Sequence, residues 1–194
     1  MKTKTKEALQ EALFEAGFVV LGVVLALAAN EWRQSRADAA QAEAALATMV
    51  QELEGNRQLV ADSLAYHEEL LAMIQGEHEE GWEPSPRNFP RGFIYPAQLQ
   101  QTAWSTANAT GALTHMDYAV VVELSGVYQA QELYRWQSSS AGELVYEALF
   151  KEGIDAIAAN YRNLGTVLST FRYREQALLE LYDRTLVNLQ QASG

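Results

Sequence analysis

The sequence predicts an all-α protein in which one N-terminal transmembrane helix continues into an antiparallel helical bundle. Three observations predict this fold. An uncharged apolar run lies near the N-terminus, an apolar stripe repeats every 3.5 residues after it, and all four prolines fall within 76–96. The stripe is typical of helices that pack against one another, and the prolines mark one long loop between them.

The first element is a helix that includes the run AGFVVLGVVLALAAN at 16–30. Counted as 13–32, this helix is about 30 Å long, which matches the hydrocarbon thickness of a bilayer. Trp32 follows the run, at the depth where tryptophan is enriched in membrane proteins. We therefore expect 1–32 to be a cytoplasmic N-terminus with a transmembrane helix, and 33–194 to be an extramembrane helical bundle.

A cleaved signal peptide is the alternative for this run, because its length suits a signal sequence. Ala26, Leu27 and Ala28 supply the small-x-small pattern of a cleavage site. Against cleavage, Glu7, Glu11 and Glu15 lie among the N-terminal lysines, whereas the start of a secretory signal is short and basic. The composition therefore favours a membrane anchor.

Basic residues on the two sides of the span set its orientation. Lys2, Lys4 and Lys6 precede it, and Arg33 and Arg36 follow it. The count favours an N-terminus inside the cell. We expect a single-pass protein of the bacterial inner membrane, with a cytoplasmic N-terminus and the bulk of the chain in the periplasm.

Charge and cysteine content exclude several classes of function. The first 30 residues hold three lysines and three glutamates, so the formal net charge of -11 belongs to 31–194. Such a surface repels phosphate backbones, which makes nucleic-acid binding a poor expectation. The chain has no cysteine, so disulfide and zinc-thiolate chemistry are excluded.

The first helix is expected to continue outward as a stalk, up to about 65 Å beyond Trp32. No proline interrupts 1–83. Within the stripe, His67 and Arg57 are the polar positions; we expect His67 to be a core histidine with its bonds satisfied, and a pH-sensitive role is the alternative. The apolar positions of the stripe are Leu46, Val50, Leu53, Val60, Leu64, Leu71 and Ile74.

The proline-rich loop at 76–96 holds four aromatic residues, Trp82, Phe89, Phe93 and Tyr95. They either pack the loop back onto its own bundle or form a docking loop for a partner. The acidic run 77–80 is interpreted as a solvated tip, with weak binding of a divalent cation as the alternative.

Four helical segments are expected after the loop. The first is 97–109, the second runs from 114 or 117 to 136, a short one lies at about 143–151, and a long one at 155–190. Serines at 138–140 and Gly142 predict a break between the second and third. The first and last helices match in length, which favours an antiparallel bundle with a shorter pair between them.

Two blocks of the chain resemble a group of uncharacterised bacterial single-pass membrane proteins. The segment at 19–36 (VVLGVVLALAANEWRQSR) is similar to their aliphatic span ending in an Asn-x-Trp step. The segment at 102–135, with its Thr-Ala-Trp helix and Thr-Gly-Ala-Leu turn, is similar to their second shared block. The resemblance implies a helical extramembrane domain on one anchor, and it implies no activity.

The sequence contains no recognisable catalytic, metal or cofactor motif. A di-metal bundle site needs Glu three residues before His, but His67, His78 and His115 follow Leu64, Gln75 and Ala112 at that spacing. HExxH, GxxxxGK[ST] and GxSxG patterns are also missing from the sequence. We therefore expect no enzyme activity, no metal, no cofactor and no small-molecule substrate.

Small residues recur at four-residue steps in the span, at Gly22, Ala26 and Asn30. We call these three residues the anchor strip. Small residues at this spacing allow another helix to approach closely, and Asn30 can form a hydrogen bond across the contact. With Trp32, they are the candidate partner-binding residues in the lipid bilayer. No histidine lies in the span, which excludes pigment or haem ligation by an intramembrane imidazole.

The predicted function is that of a non-catalytic accessory or structural subunit, which docks on and stabilises a larger integral membrane protein complex. Photosynthetic reaction-centre/light-harvesting and respiratory assemblies are the expected partners, since they contain many small single-pass subunits. The alternative is a periplasmic helical ligand-binding or sensor module anchored to the membrane. A membrane-tethered enzyme is a third class, and it lacks a catalytic set.

Overall fold

A computed structural model describes residues 2–76, 79, 82, 84–155 and 160–192, with the side chains of 2–13 and 192 left undefined. Four helices make up most of this part: α1 (Lys2–Gln75), α2 (Thr102–Ala109), α3 (Tyr118–Glu152) and α4 (Tyr161–Ala192). Two short 3-10 turns, Pro86–Asn88 and Ala112–His115, lie in the connections. No β-strand occurs among the residues described, so the predicted all-α class is confirmed.

Helix α1 is continuous from Lys2 to Gln75, so the apolar run and the stalk belong to one helix. Gly55 lies inside α1, where a Cβ would meet nothing within 4 Å, and the helix does not end there. The helix ends where Gly76 begins the proline-rich loop. The expected continuous helix from the apolar run to the loop is therefore observed.

The buried face of α1 is rotated slightly from the predicted stripe. Leu46, Val50 and Leu64 were expected in the core and are half-buried. The fully buried positions include three polar residues, Asn56, Ser63 and His67, and the predicted stripe included only His67. The buried residues of α1 are Ala42, Met49, Leu53, Asn56, Val60, Ser63, Tyr66, His67, Leu70, Leu71 and Ile74.

Helix α4 packs along α1 and also contacts α3. From one end of the α1–α4 contact to the other, Arg57 meets Asp183, His67 meets Glu175, and Ile74 meets Gly165. A Cβ on Gly165 would lie 3.3 Å from Cγ2 of Ile74, so this glycine allows the two helices to approach closely. Residue numbers therefore fall along α4 as they rise along α1.

The helix expected at 97–109 begins later, at Thr102, and this boundary prediction is wrong. The backbone N–H groups of Ala97 and Gln100 donate hydrogen bonds to side chains of α3 and α1 instead. These bonds satisfy the backbone without helix formation. Residues 97–101 therefore remain non-helical.

The break expected at Ser138–Gly142 is also wrong, because α3 continues through it to Glu152 and includes the short helix expected at 143–151. The hydroxyls of Ser138 and Ser140 donate to the carbonyl oxygens of Tyr134 and Trp136, four residues earlier. Serine is accommodated inside a helix by this bond. At the N-terminus of α3, the Asp117 side chain accepts from the N–H of Ala119 and caps the helix.

The last helix was expected from 155 and is observed from Tyr161. The apolar spacing of the expected helix predicts a core-facing stripe that includes Ile157, Leu168, Phe171 and Leu178. Residues 156–159, and with them Ile157, lie outside the described part. Leu168, Phe171 and Leu178 are buried in the bundle.

Candidate functional site

The apolar run of α1 is uncovered by the rest of the chain. Every described residue from 14 to 37 is exposed, including Phe14, Phe18 and Leu27. Within the described residues, one helix is long and apolar enough to cross a membrane, and its most apolar window is 0% buried. An apolar surface of this extent is a feature of segments that contact lipid or another protein.

The anchor strip is exposed along its whole length, and a Cβ on Gly22 would contact nothing within 4 Å. Ala26 lies about 140° around the helix from Met49, which is buried in the bundle. The strip therefore faces away from the chain's own bundle. At its outer end, Trp32 is 60% exposed and carries the Arg36 guanidinium 4.7 Å from its ring centre.

The aromatic residues of the proline-rich loop contact the chain's own bundle. Phe89 and Phe93 are buried in one core cluster and their ring centres are 4.7 Å apart. The Trp82 ring makes an edge contact with Tyr161 on α4, with the ring centres 5.6 Å apart. Tyr95 is 38% exposed. Phe89 and Phe93 therefore pack the loop onto its own bundle. Partner docking by Trp82 and Tyr95 stays a prediction.

Residues 91–101, which we call the strap, cross the helices in a non-helical conformation and bond to them through side chains. Asn56 on α1 donates to the Gln100 carbonyl oxygen at 2.7 Å and accepts from the Gln100 N–H at 2.8 Å. Two turns further along α1, the Ser63 hydroxyl donates to the Tyr95 carbonyl oxygen at 2.7 Å. These buried polar residues hold an extended backbone against a helix.

The centre of the bundle contains three buried polar side chains, which we call the Glu175 network: His67 on α1, Tyr134 on α3 and Glu175 on α4. The His67 Nδ1 atom lies 2.9 Å from Glu175 Oε2, and the Tyr134 hydroxyl lies 2.7 Å from Glu175 Oε1. On their other sides, His67 Nε2 accepts from the Tyr95 N–H and the Tyr134 oxygen accepts from the Ala97 N–H. The network thus connects three helices to the strap.

The hydrogen bonds define where the protons lie. Because His67 Nε2 accepts from the Tyr95 N–H, the neutral imidazole carries its proton on Nδ1 and donates it to Glu175. Tyr134 accepts from Ala97 and therefore donates its own proton to Glu175. Glu175 is a carboxylate that accepts two bonds, and its two hydrogen-bond partners are His67 and Tyr134.

A second carboxylate, Glu52, repeats part of this arrangement closer to the apolar run of α1. The Tyr128 hydroxyl donates to Glu52 Oε1 at 2.9 Å, and the Ala103 N–H donates to Glu52 Oε2 at 2.9 Å. The latter bond satisfies an N–H group in the first turn of α2. Burial raises the pKa of both Tyr128 and Tyr134, and each neighbouring carboxylate raises it further.

The outer side of the strap is held by Arg91. Its guanidinium donates two hydrogen bonds to the Asp62 carboxylate and lies 3.6 Å from the centre of the Tyr95 ring. The hydrogen bond from Arg91 holds the pKa of the Asp62 carboxyl below its ordinary value. This fork geometry is specific to arginine, and it fixes the start of the strap against α1.

Comparison with known proteins gives no relative for this arrangement. No family model, curated protein or solved structure matches the chain. The resemblance to bacterial single-pass membrane proteins therefore remains a prediction.

The described residues do not assemble a metal-binding group of three or more His, Asp or Glu side chains. In the acidic run considered for weak cation binding, Glu77, His78 and Glu80 lie outside the described part of the chain. The side chains of His67 and Glu175 are both 0% exposed. The Glu175 network is therefore buried, and its hydrogen bonds to Tyr95 and Ala97 hold the strap against the helices.

Sequence reasoning recovered His67 and missed its partners. Neither Glu175 nor Tyr134 was predicted as a site residue. A signal was available on α4, because Glu175 lies seven residues after Leu168 and seven before Tyr182, and all three are buried.

Proposed function

We propose that the chain is a non-catalytic, single-pass membrane accessory subunit that docks on a larger integral membrane protein complex and stabilises it. One observation carries the proposal: the uncovered apolar run and the folded acidic bundle share the continuous helix α1. Nothing in the described part of the chain buries the run, so lipid and a partner are the surfaces proposed to cover it.

The continuity of α1 gives the proposal a mechanism. A helix without a proline or a break transmits the position and rotation of the span to the bundle outside the membrane. The bundle is proposed to be antiparallel, which the opposite numbering of the α1–α4 contacts supports. A partner that binds the anchor strip would thereby also set where the bundle lies.

We place the span in a bacterial inner membrane with a cytoplasmic N-terminus, on the basis of the three N-terminal lysines. The acidic bundle is then periplasmic, where it covers or braces a partner. Photosynthetic reaction-centre/light-harvesting and respiratory complexes are the proposed class of partner, because small single-pass subunits are common in them.

The test is purification from native membranes in a mild detergent, followed by mass spectrometry of the proteins that remain bound. The proposal expects a larger integral membrane complex to co-purify in a fixed ratio. A monomeric chain that retains no membrane protein would contradict it.

Two matched variants of the span sharpen this test. Gly22→Leu places a leucine on the anchor strip, and Val24→Leu places the same side chain on the opposite face of the helix. Both keep the span apolar, so both should insert. We expect Gly22→Leu to lose the co-purifying complex and Val24→Leu to retain it.

An open groove favours the ligand-binding alternative as a second candidate. It lies between α1 and α2, has a volume of about 590 Å³, and is lined by small and hydroxyl side chains such as Ala44, Thr48, Ala103 and Thr106. A sensor would bind a small neutral ligand there. Thermal unfolding of the full chain in detergent against a panel of such ligands tests it, and a midpoint that no ligand shifts argues against this candidate.

A further inference from the structure

We infer that the Glu175 network is a proton-operated latch, in which protonation of His67 releases the strap while the helices stay assembled. The inference is independent of the proposed function. It depends on the two imidazole nitrogens of His67, one of which donates a hydrogen bond while the other accepts one. Nδ1 donates to a carboxylate of α4, and Nε2 accepts from the backbone of the strap.

The acceptor atoms of the network are already engaged by donors. Glu175 accepts from His67 and Tyr134, His67 accepts from the Tyr95 N–H, and the Tyr134 oxygen accepts from the Ala97 N–H. An added proton on Nε2 points directly at the Tyr95 N–H and places two donors against each other. A hydrogen bond becomes a repulsive contact, and the strap loses its central attachment.

The same proton strengthens the helix side of the network. The added charge turns the bond between His67 and Glu175 into an ion pair between completely buried groups. The proton thus weakens the contact of α1 with the strap and strengthens its contact with α4. This asymmetry distinguishes a latch from a general loss of stability.

The other titratable groups around His67 do not compensate the new proton on Nε2. On α1, the Tyr66 ring lies 6.1 Å from the imidazole, and Glu68 faces the surface, where it accepts from Gln176 of α4. From the strap, Arg91 is engaged with Asp62, and from α3 the facing group is Tyr134. The nearest apolar ring is that of Phe171 on α4, at 5.1 Å.

Release of the strap is expected to uncover an extended polar track on α1. Asn56, Ser63 and His67 would lose their backbone partners in the strap together.

The experiment is hydrogen exchange of the full chain in detergent, measured at about pH 7.5 and about pH 5.5, the range in which imidazole titrates. Rates are corrected for the intrinsic effect of pH on exchange. We expect the protection of the strap amides to fall about tenfold or more, because a proton-linked equilibrium changes tenfold per pH unit. Amides in the middle of α4 should keep their protection.

His67→Gln is the decisive variant, because a glutamine amide can donate to Glu175 and accept from Tyr95 but does not titrate in this range. Its strap should remain protected at the lower pH. His115→Gln is the matched control, because His115 is a surface histidine, and it should behave as the wild type. Equal protection at both pH values in the wild type, or acid release that persists in His67→Gln, would overturn the latch.

If His67→Gln does not fold, the wild type with 15N-labelled histidine keeps the inference testable. The Nε2 resonance of His67 should report proton binding over the same pH range in which the strap loses protection. Protonation without strap release, or strap release without protonation, would overturn the inference.

Discussion

The His67 imidazole on α1 and the Glu175 carboxylate on α4 form a hydrogen bond of 2.9 Å between side chains that are both completely buried. A buried carboxylate is costly unless its bonds are satisfied, and here a second donor, Tyr134, completes them. The pair joins two helices that are 108 residues apart in the sequence. It therefore fixes the register of α4 on α1 in a way that apolar packing does not.

Removal of the carboxylate should be strongly destabilising. Glu175→Ala leaves the His67 N–H and the Tyr134 O–H buried without an acceptor, at a cost of about 2–5 kcal/mol in the free energy of unfolding. Glu180→Ala, an exposed position of the same helix, should change it by less than about 0.5 kcal/mol. Chemical denaturation of both variants in detergent measures the difference. Equal effects of the two substitutions would contradict a stabilising role for the buried Glu175 carboxylate.

Loss of an apolar side chain should depend on its face of α1. Leu53 is 0% exposed and Leu59 is 39% exposed. Leu53→Ala should lower the free energy of unfolding by about 2–5 kcal/mol, and Leu59→Ala by less than about 1 kcal/mol. The reverse order in chemical denaturation would mean that the buried face of α1 is assigned incorrectly.

Glycine substitutions test the continuity of α3. Gly142 lies inside this helix, and a Cβ there would meet nothing within 4 Å, so Gly142→Ala should stabilise the chain by about 0.5–1 kcal/mol. Gly111 has a φ of 76°, so Gly111→Ala should instead destabilise it by about 1 kcal/mol. Thermal unfolding measures whether each substitution raises or lowers the stability. A destabilising effect of Gly142→Ala would indicate that α3 is interrupted at this position.

Alkaline pH should unfold the bundle. Burial raises the pKa of Tyr128, Tyr134 and Tyr182 above the ordinary value of 10.0. Their contribution is complete below about pH 10, and above it the unfolded chain binds fewer protons than the folded chain, so stability falls as pH rises. The slope is about 1.4 kcal/mol per pH unit for each tyrosine.

The measurement is the denaturation midpoint between about pH 9 and about pH 11.5, with tyrosinate absorbance recorded in parallel. In Tyr134→Phe one of the three groups is gone, so the slope should become shallower than in the wild type. A midpoint that does not change with pH would show that these phenols are not buried.

Much of the fold could be predicted from the sequence, because its strongest signals are long and periodic. The uncharged run, the uninterrupted helix to Gln75 and the stop near Gly76 follow from composition and spacing. The pairing of His67 could not be predicted, because heptad spacing can place Glu175 on the buried face of α4 but does not show which side chain of another helix it meets.

The predicted helix boundaries were wrong where side chains form hydrogen bonds with backbone N–H or carbonyl groups. Residues 97–101 have a sequence suited to a helix after Pro96, yet Asn56 and Tyr134 bond their N–H groups and keep them non-helical. In the opposite direction, the serines at 138–140 resemble a break, yet Ser138 and Ser140 bond inside α3. Both outcomes depend on contacts with a neighbouring turn or a distant helix, which local propensity does not include.

The central claim is that the span docks on another membrane protein through the anchor strip. The chain contains no cysteine, so a single cysteine can be placed at Ala26 on the strip or at Val24 on the opposite face, and each can carry a photoreactive crosslinker. The decisive measurement is crosslinking in native membranes with identification of the adducts. We expect an adduct with a larger membrane protein from Ala26→Cys and little or none from Val24→Cys; a lack of protein adducts from both positions would contradict the claim.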